Sequence, residues 1–306
     1  MPLVSRFGMM PAKPTQDTLG PITRTVKDAA ILLDAIAGYD PNDPITAYSV
    51  GQIPSTYTAF LTSDGLQGAR IGVIREAMDS KADPSSDDYH KVRVVIDKAI
   101  ANLKRLGADV IDPVVIPDLK DRLKRMYDDN VFETEQAMNK YLAEHANIPA
   151  KTVREILLSG KIVPWRAGTL LDTVGQSTDQ PGYLKVLAAK EETRQLILKI
   201  MADHRLDVLV YATFDHQPTL TAPDVLTNPD TKDEYQRGNN RYLSPSIAFP
   251  ALTVPAGFTT DGLPVGIEFM GRTFAEPTLF KLGYAFEQGT RNRKPPASTP
   301  ALLGEP

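Results

Sequence analysis

The chain has 306 residues, 42% of them hydrophobic and 24% charged, with a formal net charge of −4. That balance is ordinary for a folded globular chain and offers no clustered basic surface for nucleic acid. The absence of cysteine excludes disulfides, thiolate nucleophiles and cysteine-ligated metals.

No apolar run approaches the length that spans a bilayer, and the opening MPLVSRFGMMPAKP lacks the continuous apolar core of a secretion signal. A cytoplasmic protein is expected. The first twenty residues are punctuated by proline and glycine up to Pro21. Thr23 or Thr25 then offers an N-cap, and Val26, Ala29, Ala30, Leu33 and Ile36 recur at helical spacing before Gly38. Residues 39–44 (YDPNDP) read as two successive turns, in preference to a cation site at Asp40 and Asp43.

Residues 70–75 (RIGVIR) form a predicted strand. Residues 87–106 form an amphipathic helix with Val92, Val95, Ile96, Ala99, Ile100 and Leu103 on one face, ended by Gly107. Residues 108–116 read as a strand that Pro113 places at an edge or a break. Strand, helix, strand in this order makes an α/β unit. Residues 118–146 read as one charged helix, 151–159 as a short helix, and 162–171, around Trp165, as apolar without a long helix. In the helix predicted over 181–204, Leu184, Leu187, Ala188, Leu196, Ile197 and Ile200 make the expected buried stripe. Residues 207–211 (DVLVY) are a strand buried on both faces.

Residues 217–239 are a long polar loop. Strands over 251–254 and 262–270 are joined through FTTDG, whose Asp261-Gly262 is a turn signal. A helix over 275–288 and a proline-rich surface tail over 295–306 close the chain. No repeat and no linker interrupts it, so residues 1–306 read as one domain.

The histidines show no metal-ligand spacing, and neither metal nor cofactor is expected. His216, in Phe214-Asp215-His216, follows a buried strand, where ligands bind in open α/β sheets; substrate contact and a plain loop role are both open. Trp165 reads as a core aromatic under a loop, and Arg24 as a carboxylate ligand or an ion-pair partner of Asp17 or Asp28. Tyr242, Ser244 and Ser246 read as cavity lining or capping. Ser5 and Lys13 read as surface residues, since neither a short S-x-x-K spacing nor a G-x-S-x-G elbow is present.

Residues 4–38 resemble the segment just after the catalytic serine of amidase-signature hydrolases. GLQGARIGV, DVLVYATF and the block NNRYLSPSIAFPALTVPAGF through EQGT resemble later parts of that family, in order. The resemblance implies an α/β fold, here N-terminally incomplete, whose mixed sheet is covered by helices on both sides. It implies hydrolysis of carboxylic amides, esters or carbamates by a serine activated through a second serine and a neutral lysine, with backbone N–H groups holding the oxyanion. These residues would fall before Met1, so no catalytic residue is assigned. Asp17, Thr18, Gly20, Pro21, Arg24 and Thr25 match the family's D-T-x-G-P-x-x-R-T scaffold. Phe214, Asp215 and His216 are implied to line the substrate pocket, with Trp165 in the variable acyl-side region. The chain alone is expected to lack serine-amidase activity and to self-associate through uncovered sheet surface, its family substrate being a small amide or ester. A non-catalytic remnant or interaction protein, and the amidase subunit of a tRNA-dependent amidotransferase, are the alternatives.

Overall fold

The computed structural model describes residues 3–228, 237–296 and 298. Helix α1 (Val26–Ile36) starts where the Thr25 side chain accepts the Asp28 N–H. Strand β1 (Arg70–Val73), helix α2 (Asp87–Arg105) and strand β2 (Asp109–Ile111) follow, and β1 and β2 pair in parallel. Next come α3 (Leu119–Leu123), α4 (Thr134–Glu144), α5 (Val153–Leu158), α6 (Pro164–Leu171) and the long α7 (Pro181–Asp203). Strand β3 (Val208–Ala212), the single turn α8 (Leu243–Ser246), strands β4 (Ala251–Phe258) and β5 (Pro264–Met270), and α9 (Glu276–Thr290) complete the described elements.

The sheet has five strands in the order β2-β1-β3-β5-β4, parallel on the β1 side and antiparallel from β3 to β4. Alternation along β3 explains its near-continuous apolar sequence. Val208 and Val210 join one core with α1, α2 and α9, whereas Leu209 and Tyr211 join the other with α3, α7 and α8. The architecture is therefore a mixed sheet between two helical layers, and it belongs to the α/β class. Met138, Val153 and Leu170 form a small satellite core under α4, α5 and α6. No described helix is long and apolar enough to cross a membrane.

Several sequence expectations are corrected. The helix expected over 118–146 is broken: α3 runs into a π turn ending at Asp128, and α4 begins only at Thr134. Asp129 and Asn130 favour the turn, and the buried Asn130 amide donates to Glu133. The strand expected over 108–116 shortens to β2, because Pro113 has no N–H to give a neighbouring strand. Residues around Trp165, expected to be apolar without a long helix, form the short α6 with Pro164 at its start. On α7 the buried stripe is rotated: Val186, Ala189, Lys190, Thr193, Ile197 and Met201 face inward, while Leu184 is exposed. The apolar-stripe reading overlooked a polar patch that meets the opening segment. Residues 229–236 of the long loop, and most of the expected 295–306 tail, lie outside the described residues.

Gly72 holds β1 against the second core. A Cβ there would lie 2.6 Å from Leu206, 2.8 Å from Val114 and 2.9 Å from Leu209. The Gly72→Ala variant is expected to lose about 1–3 kcal/mol of stability through overpacking. Urea unfolding checks this, and an unshifted midpoint would contradict the packing assigned to β1.

Candidate functional site

Residues 3–21 contain no helix, and only a single bridge, Val4 to Ala37, ties them to α1 by strand-like pairing. A segment of this kind has to satisfy its polar backbone through side chains. The Asp17 carboxylate accepts the N–H groups of Ala12 (2.8 Å) and Lys13 (3.0 Å). Asp43 accepts the Arg6 backbone N–H at 2.9 Å and its guanidinium at 2.8 Å, while Arg6 also donates to the Pro14 carbonyl at 2.6 Å. The Arg6 hydrogen bonds hold the Asp43 carboxyl below its ordinary pKa. From the helical layer, Glu133 accepts the Thr15 N–H at 2.8 Å and the Thr15 hydroxyl at 2.6 Å. The buried Lys190 ammonium donates to the same hydroxyl at 2.6 Å. Gln16 donates to the Ser246 hydroxyl at 2.8 Å. Burial pushes the Lys190 pKa down to about 8, against the opposing pull of Glu133.

So fixed, the opening segment forms one wall of a groove of about 410 Å³. Pro14 to Pro21 face it from one side, Ser244, Pro245 and Ala248 to Thr253 from another, and Ala29, Leu33, Leu279 and Phe280 add apolar surface. One end is polar. There the Glu268 carboxyl is buried, accepting the Tyr211 hydroxyl at 2.8 Å, the Thr253 hydroxyl at 3.2 Å and the Ser244 hydroxyl at 3.4 Å. Burial raises the pKa of Glu268, only partly offset by these donors, and also that of Glu276 in the same groove. Arg241 stands beside them. Its backbone N–H and Nε both donate to Asn239 Oδ1, at 3.0 and 3.1 Å, and its guanidinium lies 4.8 Å from the centre of the Phe214 ring.

Asp17, Thr18, Gly20 and Pro21 line this groove, and Arg24 lies exposed beyond it. Ser244 lines it, Ser246 braces Gln16, and Tyr242 stacks on Tyr127 at 3.7 Å. Asp40 and Asp43 are turn residues, with Asp40 accepting the Ser5 hydroxyl at 2.5 Å. Phe214, Asp215, His216 and Trp165 do not line the groove. His216 Nε2 accepts the Asp83 N–H at 3.0 Å, its Nδ1 pairs with Asp215 at 2.5 Å, and its ring packs edge-on against Tyr89. Trp165 is half-buried on α6. Sequence reasoning missed Gln16, Glu133, Lys190, Arg241 and Glu268. Of these, Lys190 and Glu268 carried a signal, since a charged residue at the inward phase of a helix or strand asks for a partner. Among the described residues no group of three or more His, Asp or Glu side chains could hold a metal ion.

The family described as Amidase matches residues 1–280. The chain belongs to the amidase family. Among curated amidase-family relatives, a probable amidase of Arabidopsis thaliana is 30% identical over 96% of this chain and 52% of its own length. A glutamyl-tRNA(Gln) amidotransferase subunit from Lactiplantibacillus plantarum is 31% identical over 98% of this chain and 60% of its own. The chain thus spans between half and three fifths of the length of these relatives. Peptide amidase from Stenotrophomonas maltophilia superposes with a TM-score of 0.74 at 30% identity, over 96% of this chain and 57% of that one. A peptide amidase in complex with the competitive inhibitor chymostatin gives 0.75 at 30% identity, over 96% and 58%.

The Lys190 environment sets a pH dependence for this amidase-family chain. With its folded pKa depressed to about 8, the unfolded chain holds the extra proton between that value and the ordinary lysine pKa. The stability linked to Lys190 is therefore complete above the unfolded pKa and is lost as pH falls through about 8. Relative to Lys190→Met, the native chain should gain roughly 1–2 kcal/mol between about pH 8 and about pH 9.5. Paired urea titrations measure it, and a constant difference across that window would contradict the assignment.

Proposed function

We propose that the groove binds the substrate of a serine-dependent hydrolase of linear carboxylic amides, with peptide amides as the leading substrate class. One observation carries the reading: the groove is built by residues inside the span that matches the family, and its size falls in the range of small-molecule sites, roughly 300–1,000 Å³. Its apolar body suits an acyl or side-chain group, and its polar end suits the amide. Ser244, Arg241 and Gln16 are the proposed contacts. Phe214 acts at one remove by carrying Arg241, and Asp215 and His216 brace the same loop. Peptide amides come first because the peptide amidases match at 30% identity with TM-scores of 0.74 and 0.75.

A second reading, as the amidase subunit of a tRNA-dependent amidotransferase, is supported by the 31% identity with a protein of that kind. Partner-dependent amide transfer from glutamine would favour it over the first. We also infer self-association, because β4 is an edge strand and α1 exposes Ile31, Leu32 and Ile36. Sedimentation should show dimers or larger species that Ile31→Lys with Leu32→Lys shifts towards monomer; a concentration-independent monomer would remove that inference.

Calorimetric titration with chymostatin tests the substrate reading. Saturable binding, displaced by a peptide amide, is expected. Ala251→Trp, at an exposed groove position, should abolish it with little change in thermal stability. Absence of binding to the native chain, or unchanged binding to the variant, would count against the groove.

A further inference from the structure

The charged groups of the groove are Arg6, Asp17, Arg241, Glu268 and Glu276. Arg6 is neutralised by Asp43 at 2.8 Å, and Asp17 is occupied by the N–H groups of Ala12 and Lys13. Glu268 and Glu276 are both displaced by burial towards the uncharged acid. Arg241 differs from all of them. Asn239, itself buried, engages its Nε, and Phe214 supports its flat face. These two supports are paired with one another in an isolated antiparallel bridge, so they form one rigid mount. Neither terminal nitrogen of Arg241 has a hydrogen-bond or ion-pair partner among the described residues.

We propose that Arg241 is a carboxylate-binding residue, and that the groove takes an apolar ligand whose carboxylate lies on the free end of its guanidinium. A guanidinium held at Nε and stacked on an aromatic ring has already lost much of its rotamer freedom, so less is lost when its two terminal N–H₂ groups meet two carboxylate oxygens. The nearby acid, Glu268, feels the Arg241 charge but makes no hydrogen bond to it, its carboxyl being engaged by three hydroxyls. An aliphatic or aromatic carboxylate, free or as part of a larger amide, matches both the cation and the apolar walls formed by Leu33, Leu279 and Phe280. The inference deepens the groove reading above and rests on it, but not on hydrolysis.

The test compares two probes of the same shape on the full chain, 4-phenylbutyrate and 4-phenylbutyramide, by calorimetry. The carboxylate should bind about tenfold more tightly than the neutral amide, as a charged hydrogen-bonded pair warrants. Arg241→Met should remove that advantage by weakening the carboxylate alone, and Arg241→Lys should keep part of it. In the native chain the advantage should shrink as salt is raised, a readout that needs no variant. Equal binding of the two probes, no binding of either, or an advantage that survives Arg241→Met would overturn the proposal and leave Arg241 a solvated side chain. Carboxylate discrimination without chymostatin binding would retain this site and discard the peptide-amide reading. Chymostatin binding without discrimination would do the reverse.

Discussion

A stretch of chain without helix or sheet must be held by side chains that satisfy its backbone, and here three carboxylates, Asp17, Asp43 and Glu133, meet that requirement, with Glu133 tying the segment to the helical layer. Its carboxylate takes both the N–H and the hydroxyl of Thr15, and Lys190 closes the set from the adjacent helix. Placing an acid and an amine together inside a protein is costly, and it is tolerable only when each polar atom is engaged. The break after α3 follows from the same need, because a continuous helix would not turn back at Asn130 to present Glu133. Without this anchorage Pro14 to Asp17 would have no fixed place, and the groove would lack a wall.

The polar end of the groove treats its charges in two opposite ways. Glu268 is withdrawn beneath three hydroxyls, and burial favours its protonated form. Burial and the neighbouring acid keep the Tyr211 phenol well above its ordinary pKa, so it remains a donor to Glu268. Arg241 remains at the surface, oriented by neutral partners that do not cancel its charge. The groove therefore combines a buried hydrogen-bonding floor with an oriented cation at its edge, an arrangement that favours polar recognition over simple apolar filling.

The layered sheet was legible in the sequence wherever packing follows a simple period. The alternation of β3 and the inward face of α2 are present in the residues themselves, and the two cores use them as read. Legibility failed where a polar residue does a packing residue's job. Lys190 and Thr193 occupy the inward phase of α7, so a stripe drawn through leucines and isoleucines is displaced from the buried face at its first half, while Ile197 is buried and Leu196 and Ile200 pack against the core as read. It failed again where partners lie far apart in the chain, since nothing local in Thr15 announces Glu133, nor in Arg241 its perch on Phe214. The family segments were legible because their motifs are contiguous, whereas the floor of the groove is assembled from residues that only the fold brings together.

That assembly has a temporal side. Gln16 meets Ser246 across 230 residues, and the Val26 N–H meets Glu287 across 261. Such closures carry a large entropic cost before any contact rewards them, so they come late in folding. During synthesis the opening segment leaves the ribosome long before β4 and α9 exist to receive it. For that interval the side of the opening segment that will meet Ser246 has no native partner, so the groove is one of the last features of the fold to form.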